Sequence, residues 1–106
     1  MDYTKFTEDL KAAHKAAKEA TEGMQDGGTA NLDKLFIRLP RARETKVLEA
    51  IKEAGLYCRA KSRWIGDGYM ITVSGAQGNV REKSVTVFAT EMHERGYEIM
   101  PYRQMD

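Results

Sequence analysis

At 106 residues the chain is long enough for one domain with a single packed core and too short for two. Its 17 Lys and Arg against 16 Asp and Glu leave a formal net charge of +1, which excludes the large positive excess that coats nucleic acid non-specifically but permits a local basic pocket. The single cysteine, Cys58, excludes an internal disulfide framework and a Cys-rich zinc site. No apolar run approaches the roughly 18 residues of a membrane span, and MDYTKFTEDL lacks the basic-then-apolar order of a leader, so the expectation is a soluble cytoplasmic protein.

In chain order, Phe6, Leu10, Ala13, Ala17 and Met24 recur at the helical period and predict a narrow-faced, alanine-rich helix over Tyr3 to Met24. Gln25-Asp26-Gly27-Gly28 closes it. Lys34 to Leu39 alternates, with Leu35, Ile37 and Leu39 on one side and Phe36 and Arg38 on the other, and predicts a strand. Pro40 opens a second helix, whose inner stripe is Val47, Leu48, Ile51 and Ala54 and whose stop is Gly55. Leu56 to Trp64 and Gly68 to Val73 predict two strands joined through Ile65-Gly66-Asp67-Gly68. Asn79-x-x-Glu82 has the form of a capping box, so a third helix is expected from Val80, with Val85, Phe88, Ala89 and Met92 inward. Gly96 ends it, and Tyr97 to Arg103 predicts a last strand.

After the first helix the order is β-α-β-β-α-β. The expected fold is an α+β, ferredoxin-like sandwich: four strands, two helices on one face, a core at about 33–104, and an extra amino-terminal helix at about 3–24. With the first and third strands taken as parallel neighbours, each followed by a right-handed crossover, the starts of the second and third helices share one sheet edge. Paired helix starts present free N–H groups and the positive ends of two dipoles, a seat for phosphate or carboxylate. The expected ligand site follows: Arg43 and Arg81 neutralise an anion, the backbone of Gly78 and Asn79 donates hydrogen bonds, and Gln77 reads polar edges. Trp64, the only tryptophan, either stacks on a base or packs beneath the amino-terminal helix. The Gly-Lys-Ser/Thr of a Walker loop does not follow Gly78. His14 and His93 carry no nucleophile motif, so no enzyme and no cofactor is expected. Asp26, Asp33 and Asp106 do not have the spacing of a metal-binding loop, so no metal is expected.

Leu35-Phe36-Ile37-Arg38-Leu39-Pro40 resembles the first-strand motif of RNA-recognition domains, and Gly66-Asp67-Gly68-Tyr69-Met70-Ile71 loosely resembles their third-strand motif without its leading basic residue. That resemblance implies base stacking on an open sheet face by Phe36 with Tyr69 or Met70, unless the amino-terminal helix covers that face. A second resemblance spans Asp26 to the carboxyl terminus. Asp26-Gly27-Gly28-Thr29 with Asn31 and Asp33, Gly75-x-Gln77-Gly78, and Tyr102-x-Gln104-Met105-Asp106 are similar to motifs of a group of small phage and prophage proteins, from which Ala30 and Ala76 depart. This second resemblance implies a role in disarming host defence. In that role the chain sequesters a nucleotide-like signal, or blocks a defence protein by direct contact as anti-CRISPR proteins do. Separately, small size and an exposed sheet edge make a homodimer or higher oligomer the expectation.

Overall fold

The computed structural model describes residues 1–25, 33–73 and 78–103. Helix α1 spans Tyr3–Thr21, started by Asp2, whose carboxylate accepts from the Lys5 N–H at 3.0 Å. There follow β1 (Lys34–Arg38), α2 (Glu44–Glu53), β2 (Lys61–Trp64), β3 (Gly66–Ile71), α3 (Gly78–Glu94) and β4 (Glu98–Tyr102). The strands form one antiparallel sheet in the order β2-β3-β1-β4. The chain is therefore α+β, compatible with a ferredoxin-like arrangement.

Three local expectations shift. The β2–β3 reversal is tighter than expected: Arg63 pairs with Asp67 and Trp64 with Gly66, so the hairpin extends through residues read as its turn. Residues 56–60 lie outside β2, with the Leu56 N–H on the Ile51 carbonyl at 3.1 Å and an isolated bridge between Tyr57 and Thr72. Pro40 does not open α2. It sits inside a turn closed by the Ala42 N–H on the Leu39 carbonyl at 3.2 Å, and α2 begins at Glu44.

Strand direction is the larger correction. β1 and β3 are antiparallel neighbours, with Leu35 opposite Ile71 and Ile37 opposite Tyr69. The crossover through α2 lays β2 parallel to β1, and the hairpin then reverses β3. As a result α2 leaves one end of the sheet and α3 leaves the other.

Side chains alternate across the sheet. Leu35, Ile37, Tyr69, Ile71 and Ile99 point into a core shared with Phe6, Leu10, Val47, Ile51, Val85, Phe88 and Met92. α1 does not cover the open side of the sheet. It lies in the helical layer, packed along α3 and against α2, with Phe6, Leu10, Ala13 and Ala17 fully buried. The small residues at 13 and 17 let it approach its neighbours closely. At about 25 cal/mol per Å² of apolar surface, a buried stripe of this kind contributes several kcal/mol towards offsetting the cost of ordering the helix.

Candidate ligand-binding face

The helix-start pocket does not assemble. Arg81 sits on the inner stripe of α3, buried, where its Nε donates to the Asp33 carbonyl at 2.7 Å, just before β1. Arg43 precedes α2, beyond the far end of β1. The two are separated by at least the length of that five-residue strand, on the order of 15 Å at about 3.3 Å per residue.

Each half of the expected cradle is also committed to the protein itself. The Arg43 N–H donates to the Tyr3 hydroxyl at 2.8 Å, so α1 supplies an oxygen at the start of α2. On the other side, the Asp33 carboxylate accepts from Arg103 Nη1 at 2.7 Å. Arg81 and Arg103 thus tie α3, the start of β1 and the end of β4 together. Burial pulls the Arg81 pKa down, and the neighbouring Asp33 charge opposes that shift. Gly78 is buried and Asn79 exposed in the first turn of α3; Gln77 lies outside the described residues.

The sheet face opposite the helices presents a different set. Lys34, Phe36 and Arg38 of β1, Gly66, Gly68 and Met70 of β3, and Glu98, Met100 and Tyr102 of β4 share it by alternation and register. Phe36 is fully buried although none of the three helices packs over it. Its ring lies across Gly68, where an added Cβ would stand 2.4 Å from Phe36 Cζ and 2.7 Å from the Ile37 carbonyl oxygen. Trp64 leans back from the hairpin and meets Phe36 edge to face, centroids 5.4 Å apart, and Tyr102 likewise at 4.9 Å. Trp64 is 42% exposed, so it is not packed beneath α1.

The aromatic assignment of the RNA-recognition resemblance is corrected accordingly. Tyr69 faces the core at 1% exposure and Phe36 is roofed, so neither can stack on a ligand. Trp64 and the half-buried Tyr102 offer ring surface instead.

Beside this cluster runs a groove of about 420 Å³ lined by Lys34 and Arg59 together with Tyr57, Met70 and Thr72 and by the Lys61 segment, whose N–H donates to the Glu44 carboxylate at 3.0 Å; among the described residues no carboxylate lines it. Tyr57 is 62% exposed, held at the rim by reciprocal backbone bonds with Thr72 of 3.3 and 2.8 Å. Sequence reading missed Tyr57, Arg59 and Tyr102. The available signal was Gly66-x-Gly68 on one face of β3, which clears a floor where bulky neighbours can lie flat. Among the described residues no group of three or more His, Cys, Asp or Glu could hold a metal ion, and no helix is long and apolar enough to cross a membrane. Of the aspartates considered as metal ligands, Asp26 and Asp106 lie outside the described residues.

The class these observations define is a small α+β domain with a helical layer on one side of its sheet and an aromatic, locally basic surface on the other. No family model matches the chain, and neither does any curated protein or solved structure.

Proposed function

We propose that the protein is a binding protein, not an enzyme, whose open sheet face holds single-stranded nucleic acid or a nucleotide-like ligand, within a ferredoxin-like sandwich. The observation that supports this most is the partly exposed Trp64, braced by Phe36 and Tyr102 next to a groove whose described lining holds Lys34 and Arg59 and no carboxylate. Bases stack on Trp64 and Tyr102, and Lys34 and Arg59 neutralise the connecting phosphates. A braced ring loses little freedom when a base settles on it, so more of the stacking energy appears as affinity.

The phage resemblance supplies a use for such a face: sequestering a nucleotide-bearing signal of host defence. Much of that resemblance rests on Asp26 to Thr29, Asn31, Gly75, Gln77 and Gln104 to Asp106, which lie outside the described residues.

Because Trp64 is the only tryptophan, its fluorescence reports this face alone. A short oligouridine should quench it, with affinity falling linearly against the logarithm of salt concentration. Trp64→Ala should weaken binding, read by anisotropy of a labelled oligouridine, by about 5- to 150-fold, corresponding to roughly 1–3 kcal/mol per stacked base. Absence of quenching by oligouridine and by cyclic dinucleotides at low salt would refute the reading. It would move attention to the exposed Tyr57, Trp64 and Ile65 as a protein-contact surface.

A further inference from the structure

The open sheet face also carries an ion pair outside the basic groove. Arg38 Nη1 donates to Glu98 Oε2 at 2.8 Å, across the register of β1 and β4. By alternation Glu98 is the one carboxylate that the four strands turn to this side, among the described residues. A carboxylate repels the phosphates such a face must hold, so its presence there calls for a use.

The pair is seated on the sheet. The Arg38 guanidinium lies over Gly66, where an added Cβ would stand 2.8 Å from Nη2 and 3.1 Å from Cζ, and where a φ of 74° itself favours glycine. Arg38 Nε is buried without a hydrogen-bond partner, a cost in stability that goes with holding the group flat against the strands. The fixed guanidinium in turn orients Glu98, whose side chain is 57% exposed. Among the described residues Oε2 takes the bond from Arg38 and Oε1 takes none, so Oε1 can accept from a ligand.

What such a pair can read follows from its place. Glu98 and Tyr102 are the two diagonal neighbours of Phe36 on β4, each about 7–8 Å away, with the half-buried Met100 between them. Tyr102 belongs to the ring cluster, so a base lying on Met100 against the rings turns one edge towards Glu98 and Arg38. A carboxylate beside a guanidinium presents acceptors next to a donor. Guanine matches that order: its N1–H and 2-amino group donate to the carboxylate, and its O6 accepts from the guanidinium. Adenine and cytosine set a ring-nitrogen lone pair beside their amino donor, and uracil flanks its N3–H with carbonyl oxygens, so each turns a repelling atom to the carboxylate.

We infer that the Arg38–Glu98 pair selects guanine, so that the ligand of this face is a guanine-bearing strand or nucleotide. The selection rests on the sheet-face reading and names the base that face takes.

The test compares a short labelled oligouridine with counterparts carrying one central guanosine, inosine or adenosine, by anisotropy at low salt, with Trp64 fluorescence recorded alongside. The guanosine strand should bind wild type about 5- to 150-fold more tightly than the adenosine strand, which also stacks as a purine but offers the wrong edge; this is the range for one bidentate base contact. Inosine keeps N1–H and lacks the 2-amino group, so its strand should fall between the two. In Glu98→Gln the difference between guanosine and adenosine should disappear, while the all-uridine strand should bind more tightly because a repelling charge has gone. The melting temperature of Glu98→Gln should barely move, since glutamine still accepts from Arg38 and an exposed pair contributes little.

Equal binding of the guanosine and adenosine strands by wild type, with Trp64 quenched by both, overturns the selection and leaves the sheet-face reading in place. A guanosine preference that survives Glu98→Gln overturns it as well. Absence of binding and of quenching with all four strands removes the face and the selection together.

Discussion

Gly68→Ala is the sharpest perturbation of the aromatic face. Gly68 has no positive φ, so alanine suits its backbone and on conformational grounds alone would stabilise by about 0.4–1 kcal/mol. Sterically the outcome reverses. The new methyl would stand 2.4 Å from Phe36 Cζ and 2.7 Å from the Ile37 carbonyl oxygen. The ring can swing away, but the carbonyl belongs to the neighbouring strand of the sheet and can move only with it. Overpacking of this kind costs about 1–3 kcal/mol, so the net loss should be about 1–2 kcal/mol. At roughly 4–8 °C per kcal/mol for a domain near this size, the melting temperature should drop by about 4–16 °C. Displacing Phe36 also unseats Trp64, so the emission maximum should shift to the red in the folded state. In Gly68→Ala/Phe36→Leu, the ring clash is relieved and the carbonyl clash remains, so a double-mutant cycle should show favourable coupling. A Gly68→Ala protein with unchanged melting temperature and emission would refute the account of the floor beneath Phe36.

Three further outcomes follow from buried and half-buried polar groups. Arg81→Met removes the donor to the Asp33 carbonyl and leaves the Asp33–Arg103 pair with one neighbour fewer; chemical denaturation should register a loss of about 2–4 kcal/mol, with oligouridine affinity of the folded fraction unchanged. Burial alone would raise the Asp9 pKa, but hydrogen bonds from Lys5 and Tyr97, with the charges of Lys5 and Arg95, hold it below its usual value. Its contribution is therefore complete above the ordinary carboxylate range near pH 4 and is lost as pH falls through the lower folded value, so Asp9→Asn should flatten the acid limb of the stability profile. Burial and the bond to Asp9 raise the Tyr97 hydroxyl. That stabilisation is present below about pH 10 and fades above it, and Tyr97→Phe should flatten the alkaline limb.

Much of the fold was legible from periodicity. The stripes Phe6-Leu10-Ala13-Ala17, Val47-Ile51-Ala54 and Val85-Phe88-Ala89-Met92 reach the core, and Arg81, four residues before Val85, turns inward as that spacing requires; Met24, read as part of the first stripe, lies beyond the end of α1 at Thr21 and is exposed, and Leu48 is only partly buried. Strand direction was legible too, from a helical crossover that sets β2 parallel to β1 and a two-glycine hairpin that reverses β3. It was misread by applying the crossover rule to β1 and β3 directly, and the expected ligand site went with it. The candidate face was harder to see, because Tyr57, Trp64 and Tyr102 come from distant segments and meet only once the register is known.

The position of α1 has a consequence for how the chain is made. Its stripe finds cover chiefly on α3, and about 57 residues separate Thr21 from Gly78. At about 5–20 residues per second that is roughly 3–11 s of synthesis during which the stripe lacks its main partner. Most of a helix's stability in a protein comes from packing its amphipathic face, and until α3 is made α1 has α2 alone to pack against. During that interval nascent α1 is a short, sticky, part-formed segment, the kind of surface that holdase chaperones engage, and the domain closes only when the ribosome has delivered its third helix.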